Sequence, residues 1–445
     1  MLTKINALNP ENCKSKYLFF SYKKVKKVNP NPIKPQNLPE ALIWYYILFT
    51  YLIYLLGAQF LIAPILASFL AFCTFKKWCQ QNENTPLEER VEISTIVWIW
   101  LIAVFIIEVA LIVGQSNFDL GMGQILKSSL NWYRTWMLLV LFLIAGHLNI
   151  RPQLVYRSIC ILGFQTLIIV FVANIANLLH LPDFYYLSPL KIFGGVRTSY
   201  EVYLFYIFDD GERRMQLFAP WPPALGMIGN LYFFIALQEN NKKWRLAGMA
   251  GSIAMIVVSV SRAGFLCLPL VLGVRWLLTN FLRPWVQLAT GCVSTVATIA
   301  APTLINLITT FKEDLSKARA GSSKVRETLQ RMAIELWWNE APIWGHGRLE
   351  ESGPALVGKM PIGSHHTWFG ILYAHGLVGC IALVLALISS FVYLLIQVRN
   401  HHLAMLGLSI LITMIFFSFG ENIDGFTYVY WPALLILGMA YGKSS

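Results

Sequence analysis

Charge is what this chain has least of. Only 13% of its 445 residues are Asp, Glu, Lys or Arg, against 56% hydrophobic residues, whereas about a quarter of an ordinary soluble domain is charged. That scarcity excludes a soluble globular enzyme. There is no glycine-rich phosphate loop of nucleotide-binding type and no Gly-x-Ser-x-Gly, which disfavours a nucleotide-driven enzyme or pump, and there is no internal repeat. A zinc site has neither a cysteine pair at metal spacing nor a His-Glu-x-x-His helix to stand on. The cysteines, from Cys13 to Cys380, fall in the N-terminal tail, the apolar spans or the inner loops, where no oxidising compartment could pair them. A cleavable signal peptide is not expected, because a lysine- and proline-rich tail precedes the first apolar run instead of a short apolar core with a small-residue cleavage site.

What is present is a succession of apolar runs, near 41–56, 58–75, 93–114, 132–148, 156–179, 222–238, 246–261, 264–281, 286–309, 368–396, 402–419 and 427–442. A bilayer core needs roughly 20 helical residues to cross. The expected fold is therefore all-α, a polytopic membrane protein of about 12 transmembrane helices with a large outer-face loop containing amphipathic helices. Residues 1–40 read as a basic, disordered cytoplasmic tail, 41–309 as a transmembrane bundle, 310–367 as an external catalytic loop and 368–445 as C-terminal transmembrane helices. Lysines from Lys4 to Lys34 place the tail inside. Counting spans from there, Lys76, Lys77, Arg90, Arg151, Arg157, Lys242, Lys243, Arg245, Arg283, Arg399 and Lys443 all fall on the cytoplasmic side. Both termini are then expected inside, with 115–131, 180–221, 310–367 and 420–426 outside. The net charge of +12 is topology signal plus a tail near anionic lipid, and it does not argue for nucleic acid.

The outer segment 310–367 departs from that pattern with Lys312, Lys317, Arg319, Lys324, Arg326, Arg331, Arg348 and Lys359. Long translocated loops escape the charge rule. A solvated loop balanced by its seven carboxylates is one reading; an anion site is the sharper one, because guanidinium presents a planar fork to phosphate oxygens. Val325, Leu329, Met332, Ala333 and Leu336 recur at helical spacing, so 323–339 reads as an amphipathic helix ended by Pro342 and the Gly345-His346-Gly347 turn. Trp337 and Trp338 suit the interfacial belt. Ser261-Arg262-Ala263-Gly264 puts another arginine at a hairpin's outer end, where small residues permit close backbone approach. Arg197, and Arg213 with Arg214, add outside charge. His346, His365 and His366 gather in the same outer loop, and a neutral imidazole there can accept a hydroxyl proton or orient an acceptor.

Taken in order, Ser261-Arg262-Ala263-Gly264, Arg326 leading into Pro342-Ile343-Trp344-Gly345-His346-Gly347, and His365-His366 ahead of Gly376-Leu377-Val378-Gly379 resemble the O-antigen ligase and polymerase superfamily. The likeness of layout covers roughly 90–442. It implies a glycosyltransferase of the cytoplasmic membrane that moves a glycan from a polyprenyl diphosphate to an acceptor hydroxyl on the outer face, using neither nucleotide nor metal nor other cofactor. By the resemblance, Arg262 and Arg326 hold the diphosphate and His365 orients or deprotonates the acceptor. Arg331, Arg197, Arg214, His366 and His346 are further substrate-binding candidates. The implied partners are a polyprenyl-diphosphate-linked oligosaccharide, an acceptor glycan or glycolipid, membrane lipid, and flippase or chain-length proteins. Two positions depart from the family's habit: His366 stands where asparagine or a similar polar residue is common, and Gln330 where an aromatic is frequent. Three functions stay open on these residues: a polymerase of polysaccharide repeats, a ligase to a lipid or protein acceptor, and a small-anion transporter of bicarbonate type. The transporter reading would be favoured by two related halves with charges at mid-membrane, and neither is visible.

Overall fold

The structure, a computed structural model, describes residues 33–86, 90–181, 184–195, 197–203, 206–207, 213–281, 283–303, 305–306, 309–310, 320–347, 360–398 and 401–442. The basic tail lies almost wholly outside the described residues, as do Lys312, Lys317, Arg319, Arg348 and Lys359 of the segment 310–367 and the side chain of Arg213. The chain divides into Met1–Lys34 and Pro35–Ser445, and the helices belong to the second part.

Helix α1 (Leu38–Leu48) and α2 (Thr50–Leu55) precede α3 (Gln59–Gln80), α4 (Thr95–Asn117), α5 (Met122–Trp132), α6 (Leu138–Ala145) and α7 (Pro152–Leu178). After two short ribbons come α8 (Pro222–Ala236), α9 (Lys242–Ser259), α10 (Arg262–Asn280), α11 (Pro284–Ile299), α12 (Ala320–Glu340), α13 (Thr367–Gln397), α14 (His402–Ser418) and α15 (Thr427–Tyr441). Starts follow local chemistry. Pro152, Pro222 and Pro284 occupy first-turn positions where a missing N–H costs nothing, and Ser94, Asn241 and Ser261 cap with their side chains. Six helices among the described residues are long and apolar enough to cross a membrane. The protein is thus an all-α, multi-pass membrane protein, and the shorter apolar helices carry the expected count of twelve no further.

Every residue of α15 is buried, and so are nearly all of α8. A helix apolar on all sides belongs at the centre of a bundle. The opposite case is the later half of α13, where Leu377, Ile381, Leu385, Ile388, Val392 and Ile396 are all exposed along one stripe that suits lipid. Two arginines assigned to the inner side by the charge count are staples: Arg157 meets buried Glu239 at 2.8 Å, and Arg151 meets buried Glu40 at 2.7 Å. The connection between α7 and α8 carries strand pairs β1 (Tyr185–Leu187) with β2 (Glu201–Tyr203) and β3 (Tyr206–Ile207) with β4 (Arg213–Arg214), both antiparallel.

One feature joins α12 to the bundle. Gly376, at φ +61° and ψ −163°, interrupts α13. An interruption strands backbone groups that lipid cannot satisfy, and the segment after α12 takes them up. His346 N and Gly347 N donate to the carbonyls of Tyr373 and Ala374 at 2.8 Å each, while Leu377 N and Val378 N donate to Pro342 O at 3.0 Å and Ile343 O at 3.2 Å. The turn at Gly345-His346-Gly347 and the Gly376-Leu377-Val378-Gly379 stretch of the next apolar run are halves of one joint. Glycine is required on both sides, since a methyl group at Gly376 would run into Ile343 O and one at Gly345 into the Ala374–Gly376 backbone. Past the joint, the remaining stretch of about 20 residues is still long enough to cross.

Candidate active site

The arginine-bearing helix forms as its periodicity predicts. Observed over Ala320–Glu340, α12 buries Leu329 and Ala333 against Ile362 and Tyr373, with Val325, Met332, Leu336 and Phe369 packed around them. That face fixes the rotation of the helix and leaves Arg326 half-buried and Arg331 exposed. Arg326 Nη1 donates to Gly420 O at 3.2 Å, and Nη2 lies 3.5 Å from Glu421 Oε1. The carboxylate's other oxygen accepts from Trp221 Nε1 at 2.8 Å. Glu421 is buried, and burial pushes its carboxyl up to about 7 against the opposing pull of Arg326 and the Trp221 hydrogen bond.

Helix starts converge on the same corner. Trp221 immediately precedes α8; Thr367, the first residue of α13, donates through Oγ1 to Glu421 O at 2.6 Å and accepts from Ile423 N at 3.1 Å. The start of α10 packs one turn further along α8, where a methyl on Gly226 would come within 2.9 Å of Ser261 Cβ. Five residues of helix separate Trp221 from Gly226, so the backbone of Arg262 lies roughly 7 Å deeper along α8 than the Trp221–Glu421 anchor of Arg326. Helix N-termini carry partial positive charge, and three of them beside arginines make this end favourable for an anion.

His365 sits at the edge of the corner in a left-handed conformation, φ +62°. Burial first, and the Arg326 charge second, bring its imidazole down to about 4, so it is neutral at ordinary pH. His366 is used differently. It caps α13, with Nδ1 accepting from Phe369 N at 3.4 Å and its own N–H donating to Asn422 Oδ1 at 3.0 Å, and burial lowers it to about 4.

The remaining candidates disperse. His346 belongs to the joint at Gly376, stacked between Phe118 and Tyr373, with Nδ1 3.1 Å from Tyr373 O and Nε2 2.9 Å from Glu340. Arg197 is paired within its own ribbon, to Glu201 at 2.8 Å and to the Tyr185 hydroxyl at 3.1 Å. Arg214 ends β4, and the next residue, Met215, donates to Val258 O at 2.9 Å, which brings that strand beside the last turn of α9. Arg331 is exposed, about 140° around α12 from Arg326. Sequence reasoning missed Glu421, Trp221 and Asn422. A signal existed for the first: Glu421 and Asp424 are the only charged residues in the apolar stretch 401–442, and an ionisable group in such a setting is a functional candidate by default. Among the described residues no group of His, Cys, Asp and Glu is arranged to hold a metal ion.

With the corner assembled, the comparison with known proteins bears on it directly. Residues 247–384 match the O-antigen ligase family. The resemblance to the O-antigen ligase and polymerase superfamily is thus shown, over less than half of the chain. The match contains Arg262, Arg326, Arg331, His346, His365 and His366 and ends before Glu421. No curated protein matches the chain.

Proposed function

We propose that this protein transfers a glycan from a polyprenyl diphosphate to a sugar hydroxyl at the outer face of the cytoplasmic membrane, with polymerisation of lipid-linked repeats as the reaction. The observation that carries the reading is the meeting of Arg326 and the neutral His365 where α8, α10 and α13 begin. In the reaction the acceptor oxygen bonds to the anomeric carbon as the bond from that carbon to the diphosphate oxygen breaks, and the bonding pair leaves with the diphosphate. Negative charge grows on the departing oxygens. Guanidinium groups bind it more tightly as it grows, and that difference lowers the barrier. The acceptor's proton passes to His365, whose depressed basicity keeps it unprotonated and ready at neutral pH. Attack opposite the leaving group gives inversion. Arg331 and Arg214 line the approach as secondary phosphate or sugar contacts, while His346, His366 and Arg197 support the scaffold.

Twelve crossings, cytoplasmic termini, an outer catalytic loop over 310–367 and a working relation to a flippase or chain-length protein belong to the same proposal. The family's description favours a second reading, a ligase acting on a lipid or protein acceptor. Purified protein in nanodiscs, given a polyprenyl-diphosphate oligosaccharide alone and then with a candidate acceptor lipid, separates them. A ladder from donor alone means polymerase; product that requires the second lipid means ligase; no transfer with any acceptor, but anion flux into vesicles, sinks the glycosyltransferase reading in favour of transport.

A further inference from the structure

Asn230 lies in the middle of α8 with a side chain fully buried in the bundle, where a polar amide is costly unless it is used. Its Nδ2 donates twice, to Gly226 O in its own helix at 2.8 Å and across to Gly264 O in the first turn of α10 at 3.0 Å. Two carbonyl partners settle which end of the amide is nitrogen. Its Oδ1 is buried with no hydrogen-bond partner among the described residues. A side chain chosen for stability alone would not leave that acceptor stranded.

The same place is constrained from the other side. Val260, the residue that turns α9 into α10, is held at φ +46°, ψ +34°, a left-handed conformation that a β-branched residue adopts only under constraint. The constraint is visible in a relay of side chains: Ser259 Oγ accepts from Ser261 N at 3.2 Å, and Ser261 Oγ accepts from Gly264 N at 3.2 Å. Gly264 packs with its neighbours within 3.3 Å of where a methyl would stand, against the Cα of Gly226. Everything that holds this turn bears on the position of Arg262, its next residue.

We infer that Asn230 is a positioning residue for Arg262: by tying Gly264 to the second turn of α8 it sets the depth of the α10 N-terminus, and so the height at which the guanidinium meets a diphosphate. This rests on the diphosphate role given to Arg262 above. Both carbonyls that Asn230 contacts sit inside helices, where the N–H four residues on is placed to bond them, so Asn230→Leu removes the tie and the stranded acceptor together. Folding is therefore expected to survive it. The tie's effect should appear in binding instead.

The test is a double-mutant cycle on binding of a polyprenyl diphosphate to full-length protein in nanodiscs, with thermal melting in parallel. Asn230→Leu should weaken binding by about tenfold in the wild-type background while melting stays put or rises, and should change nothing further once Arg262 is Ala. Asn230→Gln, which keeps a donor within reach, should recover part of the loss. Equal weakening with and without Arg262, or no weakening at all, overturns the positioning role alone. If Arg262→Ala binds the diphosphate as well as wild type, the reading of Arg262 itself is wrong and the inference falls with it.

Discussion

The chain interrupts a helical path at Gly376 and again at Val260, and it repairs the two interruptions by different means. At Gly376 the repair is all main chain: four backbone hydrogen bonds from 342–347 replace those lost, with glycines where side chains would collide. At Val260 side chains carry most of the repair: Ser259, Ser261 and Asn230 act in a left-handed turn without glycine, beside one main-chain bond from Met215 N to Val258 O. A backbone seal of four cross-bonds makes a rigid joint. A side-chain repair instead holds a helix start and the residue that opens it, here Arg262. The first interruption joins α12 to the bundle; the second aims a charge.

Gly376→Val should have the largest effect, since it sets a β-branched residue at positive φ against Ile343 O. We expect several kcal/mol of destabilisation and little monodisperse protein after extraction, read by gel filtration. Folded, active Gly376→Val protein would show that the joint is not rigid. Next, Arg262→Ala and Arg326→Ala should each cost about 3 kcal/mol of transition-state binding, roughly 100-fold in turnover or more, with melting little changed. Arg326→Lys should recover little, and full recovery would argue against a bidentate contact with phosphate.

The pH response comes third. Because His365 titrates near 4 and must be neutral to take the proton, turnover should hold as pH falls from 7 to about 5 and drop as it passes 4; an acid limb near the ordinary imidazole value would place the base elsewhere. Stability has two slopes. Lowered histidines make it fall as pH drops from about 6.5 through 4, whereas the raised Glu421 makes its own contribution fade as pH rises through about 7. Between about 4.5 and 6.5 the two oppose each other, so Glu421→Gln should make stability climb more steeply with pH there and remove the decline towards 7, which melting curves across pH will check. The smallest effect belongs to Val260→Gly. It relieves a left-handed valine but loosens the unfolded chain, so melting should shift by the equivalent of about 1 kcal/mol or less, while transfer falls a few-fold as the turn ceases to aim Arg262.

Much of the scaffold could be read directly. Helix α12 appears at its predicted place because Val325, Leu329, Met332, Ala333 and Leu336 repeat with the helical period, and a helix begins at Arg262, close to the apolar run read from 264. His346 was less legible. A histidine between two glycines in an outer loop looks available to a substrate, but Phe118 and Tyr373 enclose it, and neither lies near it in sequence. Arg197 looked available for the same reason, and it takes Glu201 four residues on.

Sequence alone determined the class of this protein, because backbone polar groups in lipid must be satisfied within the segment and long apolar runs leave only the helix to do it. It also determined which residues are suited by chemistry to grip an anion. Only tertiary structure decided which of them meet. Arg326 finds Glu421, Trp221 finds the same carboxylate, and Asn230 finds Gly264, each across a large separation in the chain. Those meetings depend on how one helix slides and turns against another. Hydrophobic period sets which face of a helix is buried, but its depth along a neighbour is set by individual contacts that no period encodes.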